Sequence, residues 1–167
     1  MKNRFFVLLL ASLFLVGALT QGCAEKPKLD LKTIADKILK TLNSADAVAV
    51  ANLYAPDAVM IQADLSSPVH GREALLEYYR GMFMAMPDWK VDMSVVAFSS
   101  DTIVFEGVGG GTFTGPLATP EGEVAPTGTK VILKLVFLAK ISPDGLIAED
   151  RSYFDNFAFM KQLGLIK

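Results

Sequence analysis

Hydrophobic and polar positions first alternate with a helical period and later with a strand period. Leu31, Ile34, Ile38 and Leu42 fall on one face and predict an amphipathic first helix. Asn43 and Ser44 interrupt it, and Ser44 is placed to cap a second helix over Asp46 to Tyr54, which Pro56 stops. Ala58 to Gln62 predicts a short strand, Ser66-Ser67-Pro68 a loop, and Gly71 the opening of a third helix. Its stripe of Ala74, Leu75, Tyr78, Tyr79, Met82, Phe83 and Met86 is broad enough to pack against a sheet. From Trp89 the period becomes two. Trp89, Val91, Met93, Val95 and Ala97 share a face, Ser99-Ser100-Asp101 turns the chain, and Ile103, Phe105, Gly107 and Gly109 continue in a second strand. Thr129 to Ile141 is a third long strand, with Val131, Leu133, Leu135 and Phe137 on one side and Lys130 and Lys134 on the other.

Ser142-Pro143-Asp144-Gly145 is a turn that joins this strand to a closing one as a hairpin. There Ile147, Glu149, Arg151, Tyr153 and Asp155 share a face, forming a row of two carboxylates, a guanidinium and a phenol behind one aliphatic residue. Phe157, Met160 and Leu163 then mark a short helix that stops at Gly164. Helices followed by an antiparallel meander, with no βαβ alternation, place the chain in the α+β class. The run Gly107 to Gly115 is not a phosphate loop, because no Gly-Lys-Ser/Thr and no helix follow it. Glycines inside a strand mark a bulge or bend instead. The Pro- and Gly-rich stretch after it is a loop long enough to edge a site.

A length of 167 residues, about half of them apolar, fits one packed domain. Lys2 and Arg4 precede an uncharged apolar run from Phe5 to Leu19, too short to span a bilayer, which reads as a secretory signal. It ends in Leu19-Thr20-Gln21-Gly22-Cys23, similar to a bacterial lipobox with Thr20 where Leu is usual. Lipid attachment also explains why Cys23 is the single cysteine of an exported chain. The expected layout is a signal peptide over 1–22, a tether over 23–28 and a domain over 29–167, anchored by lipid on the periplasmic side of a bacterial envelope. Loss of residues 1–22 leaves 14 basic side chains against 18 acidic ones, a balance that argues against nucleic acid as partner. One histidine and one cysteine give no plausible zinc site.

The string Gly145-Leu146-Ile147 with Glu149, then Tyr153-Phe154-Asp155 and Gln162-Leu163-Gly164, resembles the closing segment of SnoaL-like polyketide cyclases, ester cyclases of the nuclear-transport-factor-2-like superfold. His70-Gly71-Arg72-Glu73-Ala74, Met86-Pro87-Asp88-Trp89 and the frame around Gly111 to Gly128 are similar to further family segments in the same order. The resemblance covers nearly all of Leu29 to Lys167. It implies a cone-shaped curved antiparallel sheet whose N-terminal helices close a pocket. It also implies a cofactor-free reaction in which Asp155 is the catalytic acid/base, Tyr153, Arg151 and His70 orient substrate, and Trp89 closes the pocket floor. Members commonly pair through the sheet's outer face, so a homodimer is expected. Phe113 stands where many members carry His, and Arg151 stands where an aromatic residue is common; an Arg there favours an anionic or carbonyl-rich ligand.

Three functions follow as expectations: an acid/base enzyme on a small carbonyl compound (cyclase, isomerase or hydrolase type), a non-catalytic module holding an apolar ligand at the envelope, or a structural lipoprotein. The row Glu149, Arg151 and Asp155 is expected to line the cavity. Two residues keep alternative roles. Asp155 directly precedes a helix and is equally an N-cap. His70 is a general base or pocket donor, or a loop residue bonded to backbone.

Overall fold

The computed structural model describes residues 29–62, 65–119 and 122–166. The signal, lipobox and tether expected over 1–28 lie outside the described residues. Helix α1 (Leu31–Leu42) is capped by Asp30, whose carboxylate accepts from the Thr33 N–H. Helix α2 (Ala47–Ala51) is shorter than expected, and Asp46 caps it in place of Ser44, accepting from the N–H groups of Val48 and Ala49. Ser44 Oγ is occupied otherwise, donating to the Thr41 carbonyl. Strand β1 (Tyr54–Gln62) starts four residues earlier than the apolar run suggested and passes through Pro56. Strand β2 (Val69–His70) and helix α3 (Arg72–Ala85) follow. Then come β3 (Lys90–Phe98), β4 (Thr102–Thr112), the small pair β5 (Leu117–Thr119) and β6 (Gly122–Val124), β7 (Lys130–Ile141), β8 (Ile147–Phe154) and helix α4 (Asn156–Gln162).

Six strands form one curved sheet in the order β2-β1-β8-β7-β4-β3, and β5 pairs with β6 separately. Every pair in the large sheet is antiparallel except β1 with β8, which run parallel. The expected meander of the last strands and the α+β class are both present. Helix α1 lies against β3 and β4, and α3 against β1, β2 and β5. Between helices and sheet sit Ile38, Tyr54, Met60, Leu75, Ile103, Phe105 and Phe113, all fully buried, with Phe105 and Phe137 stacked at 5.4 Å. The glycines of β4 let neighbouring strands approach. A Cβ at Gly107 would lie 2.2 Å from the Asp92 carbonyl oxygen, and one at Gly110 would lie 2.2 Å from that of Val131.

Candidate functional site

The face presented by β8 is decided by a β-bulge. Ile147 pairs with Ile141, but Glu149 pairs with Lys140, so two residues of β8 span one step of β7. Such a bulge breaks the two-residue alternation. Ile147 therefore shares the inner face with Asp150, Ser152 and Phe154, opposite Ile141, Ala139, Phe137 and Leu135. Glu149, Arg151 and Tyr153 turn outward, opposite Lys140, Leu138 and Val136.

The row expected to line a cavity is thus on the solvent side. Arg151 Nε donates to Glu149 Oε1 at 2.7 Å in a pair whose side chains are 47% and 34% exposed. Tyr153 is 49% exposed and lines an open groove of about 410 Å³ on the outer face, together with Glu106, Val108, Lys134 and Val136. Asp155 is exposed and accepts from the Ala158 N–H at 2.9 Å as the N-cap of α4. It also borders a depression of about 240 Å³ with Ile132, Leu133, Lys134 and Ala158. His70 is exposed at the end of β2, paired with Val59. Trp89 is buried in the core, where its Cζ2 would touch a Cβ built on Gly109. The structure brings Glu149, Arg151 and Tyr153 together on one face and leaves His70, Trp89 and Asp155 elsewhere.

Asp155→Asn is expected to melt with the parent, because Asn caps as well as Asp, whereas Asp155→Ala should lose about 1 kcal/mol. Thermal melting of the two variants checks this, and equal melting of Ala and parent would remove the capping role.

The inner face carries a different carboxylate. Asp150 lies between Met60 of β1 and Ala139 of β7 in the ladders. It is 1% exposed and is the one buried charged side chain among the described residues. Tyr54 Oη donates to its Oδ2 at 2.5 Å, and the hydroxyl of Tyr79 lies 2.6 Å from that of Tyr54. With Tyr54 donating to the carboxylate, Tyr79 is left to donate to Tyr54. Asp150 Oδ1 has no hydrogen-bond partner among the described residues. A buried, half-satisfied carboxylate is costly when charged. Burial pushes the Asp150 carboxyl up from 3.8 to about 7, against the downward pull of the Tyr54 hydrogen bond and with a further push from the Glu149 charge. Burial, and then the charge of Asp150, hold both Tyr54 and Tyr79 well above the ordinary phenol range, so both remain donors.

The aromatic stripe of α3 forms the wall of this site. Tyr79 lies 6.0 Å from Tyr54 and 6.0 Å from Phe83, ring to ring, and Tyr78 meets Tyr79 edge-on at 5.4 Å. Neither surface depression described above includes Tyr54, Tyr79 or Asp150 in its lining. Among the described residues no group of three or more His, Cys, Asp and Glu side chains is placed to hold a metal ion. What the arrangement can do is move one proton. A carboxyl pushed up to about 7, with Oδ2 held by Tyr54 and Oδ1 without a partner among the described residues, has the proton affinity to give or take a proton near neutral pH.

Sequence reasoning passed over Asp150 because it assigned it to the opposite face. One signal was available: on the parity Ala148, Asp150, Ser152, Phe154, it is the one charged residue among small and apolar ones.

A protein-family model described as a SnoaL-like domain matches residues 35–150. That span contains Tyr54, Tyr79 and Asp150 and ends before Asp155. No curated protein matches the chain. Among solved structures, a candidate SnoaL-like polyketide cyclase from Jannaschia sp. CCS1 superposes with a TM-score of 0.68 at 20% identity, over 87% of this chain and 100% of that one. IdmH, a candidate polyketide cyclase from Streptomyces antibioticus, gives 0.62 at 23% identity, over 81% and 99%. AclR, a candidate hydroxylase from Streptomyces galilaeus, gives 0.65 at 21% identity, over 81% and 96%. At these identities the likeness establishes the nuclear-transport-factor-2-like cone.

Proposed function

The chain belongs to the SnoaL-like domain family, and from that premise we propose that it is an acid/base catalyst acting on a small organic carbonyl compound, with Asp150 as the working group. One observation carries this reading: a carboxylate 1% exposed has one oxygen held by Tyr54 and the other without a partner among the described residues. A group whose proton affinity is matched to neutral pH is suited to both removing and returning a proton. As a base, Oδ1 takes the proton from the carbon beside the carbonyl, leaving an enolate. As the acid so formed, it returns that proton to carbon or to the alkoxide that follows. The apolar ladder neighbours Met60 and Ala139 and the donor hydroxyls suit an uncharged substrate better than an ion. Asp150 is enclosed in the core, so on this reading a ligand would have to displace core side chains to reach Oδ1. Structural neighbours described as cyclase and as hydroxylase agree that this cone carries several chemistries.

The enclosure itself favours a second reading, a module that holds a small apolar ligand without turnover. A panel of 1,3-diketones in heavy water separates the two by nuclear magnetic resonance. The parent is expected to accelerate exchange of the acidic C–H, and Asp150→Asn to slow it by about 10²–10⁴-fold, the usual contribution of a general acid–base group. Binding without exchange would favour the holding module, and equal exchange by both proteins would overturn the role of Asp150.

Export with a lipid on Cys23 and pairing of two copies through the outer sheet face are parts of the same proposal. No helix among the described residues is long and apolar enough to cross a membrane. Val108, Ile132 and Tyr153 are exposed on the outer face beside Glu106, Lys134 and the Glu149–Arg151 pair, a mixed surface suited to a second copy. Cys23→Ser is expected to release the protein from membranes or to block its processing. Wild-type protein that fractionates as soluble and unacylated would remove the anchor.

A further inference from the structure

We infer that Arg72 is a positioning residue for the Asp150 site, acting through the backbone of Tyr54; the inference rests on Asp150 being the working group. β1 and β8 are irregular where they face each other. Tyr54 pairs with Ile147, and the next pair is Val59 with Glu149. Residues 55–58 of β1 therefore leave the ladder opposite the bulge that turns Asp150 inward. Pro56, which has no N–H to offer a ladder, and Asp57 are exposed in this excursion. Tyr54 is the last paired residue before this excursion, and it must present its hydroxyl to two partners at once.

The segment His70-Gly71-Arg72 closes the excursion at both ends. The Gly71 N–H donates to the Ala58 carbonyl at 2.8 Å, with Gly71 at φ +84, a conformation that favours glycine. Arg72, the first residue of α3, donates from Nε and Nη2 to the Tyr54 carbonyl at 2.9 and 2.5 Å. Two donors of one planar fork on a single oxygen fix that oxygen in direction as well as distance. Neither of the two ion pairs among the described residues involves Arg72. Its donors are directed to a neutral carbonyl, and through it they set the phenol that holds Asp150 Oδ2.

The titratable groups facing Asp150 are Tyr54 from β1 and Tyr79 from α3, with Glu149 beside it on β8; β7 presents Ala139. The Tyr54 hydrogen bond favours the charged form of Asp150, so loosening it raises the pH at which Asp150 titrates. The test follows the Asp150 carboxyl resonance against pH in the full-length chain labelled at aspartate, with Asp150→Asn assigning the signal. Tyr54→Phe is expected to raise the midpoint by about one pH unit or more. Arg72→Lys keeps the charge but not the fork, and is expected to raise it by a measurable part of that. The double variant should match Tyr54→Phe alone, because Arg72 acts through Tyr54. A lower melting temperature for Arg72→Lys with the midpoint unmoved, or shifts that add in the double variant, would overturn the inference. Arg72→Gln, which keeps a neutral amide as donor, repeats the comparison if Arg72→Lys does not fold. The wild-type midpoint is a separate result. A value near 7 supports Asp150 as the working group, and one near 4 overturns that reading while the Arg72 comparison stays legible.

Discussion

Asp150→Asn is expected to make the protein more stable than its parent at pH 8 and no more stable at pH 3.5. Folding holds the proton on Asp150 to about pH 7, whereas the unfolded chain releases it near 3.8. Between those values the folded state binds more protons, so stability falls as pH rises. The contribution is fully present below 3.8, is lost as pH climbs through about 7, and changes little beyond. At ~1.36 kcal/mol per pH unit, the raised carboxyl corresponds to about 4 kcal/mol across that window. The amide of Asn is neutral throughout, accepts from Tyr54 as the carboxylate does, and removes this slope. Asp30 and Asp88 are held below the usual carboxylate range by hydrogen bonds from Thr33 and Thr112. Their stabilising contribution is lost on acidification, but parent and variant share it, so it cancels in the difference. Urea midpoints of the two proteins at several pH values read that difference directly. A gap between them that does not change with pH would mean that Asp150 titrates like an ordinary carboxylate, and the proposed chemistry would lose its acid/base group.

Elements with strong periodicity were legible in the sequence because periodicity is a local property. The face of α1 through Leu31, Ile38 and Leu42, the stripe of α3, the hairpin of β7 and β8 and the helix after Asp155 all stand where the pattern placed them. The second helix was overextended because Leu53 and Tyr54 are apolar in either period, and their assignment to a helix or a strand depends on β8 lying beside them. The face of β8 was misassigned for a similar reason. The alternation from Ile147 to Asp155 is regular on paper, and nothing local shows that β8 takes two residues for one step of β7. One extra residue moves every later side chain to the other face. It exchanged Asp150 for Glu149, and it left Arg151 and Tyr153 in solvent. The bulge lies opposite the excursion of β1 around Pro56, some 90 positions away in the chain. The partner phenols share this origin. Tyr54 and Tyr79 look like core aromatics in sequence, and only the fold shows that their hydroxyls meet a carboxylate.

The glycines Gly107, Gly109, Gly110 and Gly111 lie inside strand β4, and their close contacts support a large destabilisation from a single added methyl group. In Gly107→Ala the new Cβ would sit 2.2 Å from the Asp92 carbonyl oxygen and 2.7 Å from the Met93 Cα. Both are backbone atoms of β3, paired with β4 from Lys90 to Phe98. No rotamer change relieves such a clash, so the strands must separate locally and surrender ladder bonds. Overpacking of this kind costs about 1–3 kcal/mol where side chains can yield. With backbone on the other side, about 3 kcal/mol or more is expected, or roughly 10 °C in melting temperature for a domain of this size. Gly81→Ala is the matched control. A Cβ there meets nothing within 4 Å, and Gly81 lies inside α3. Glycine inside a helix costs roughly 0.5–1 kcal/mol relative to alanine, so this variant is expected to melt higher than the parent. Thermal melting of the two substitutions should therefore move in opposite directions. If Gly107→Ala melts with the parent, β3 and β4 do not approach closely at this point, and the glycines are not what lets the sheet curl around its core.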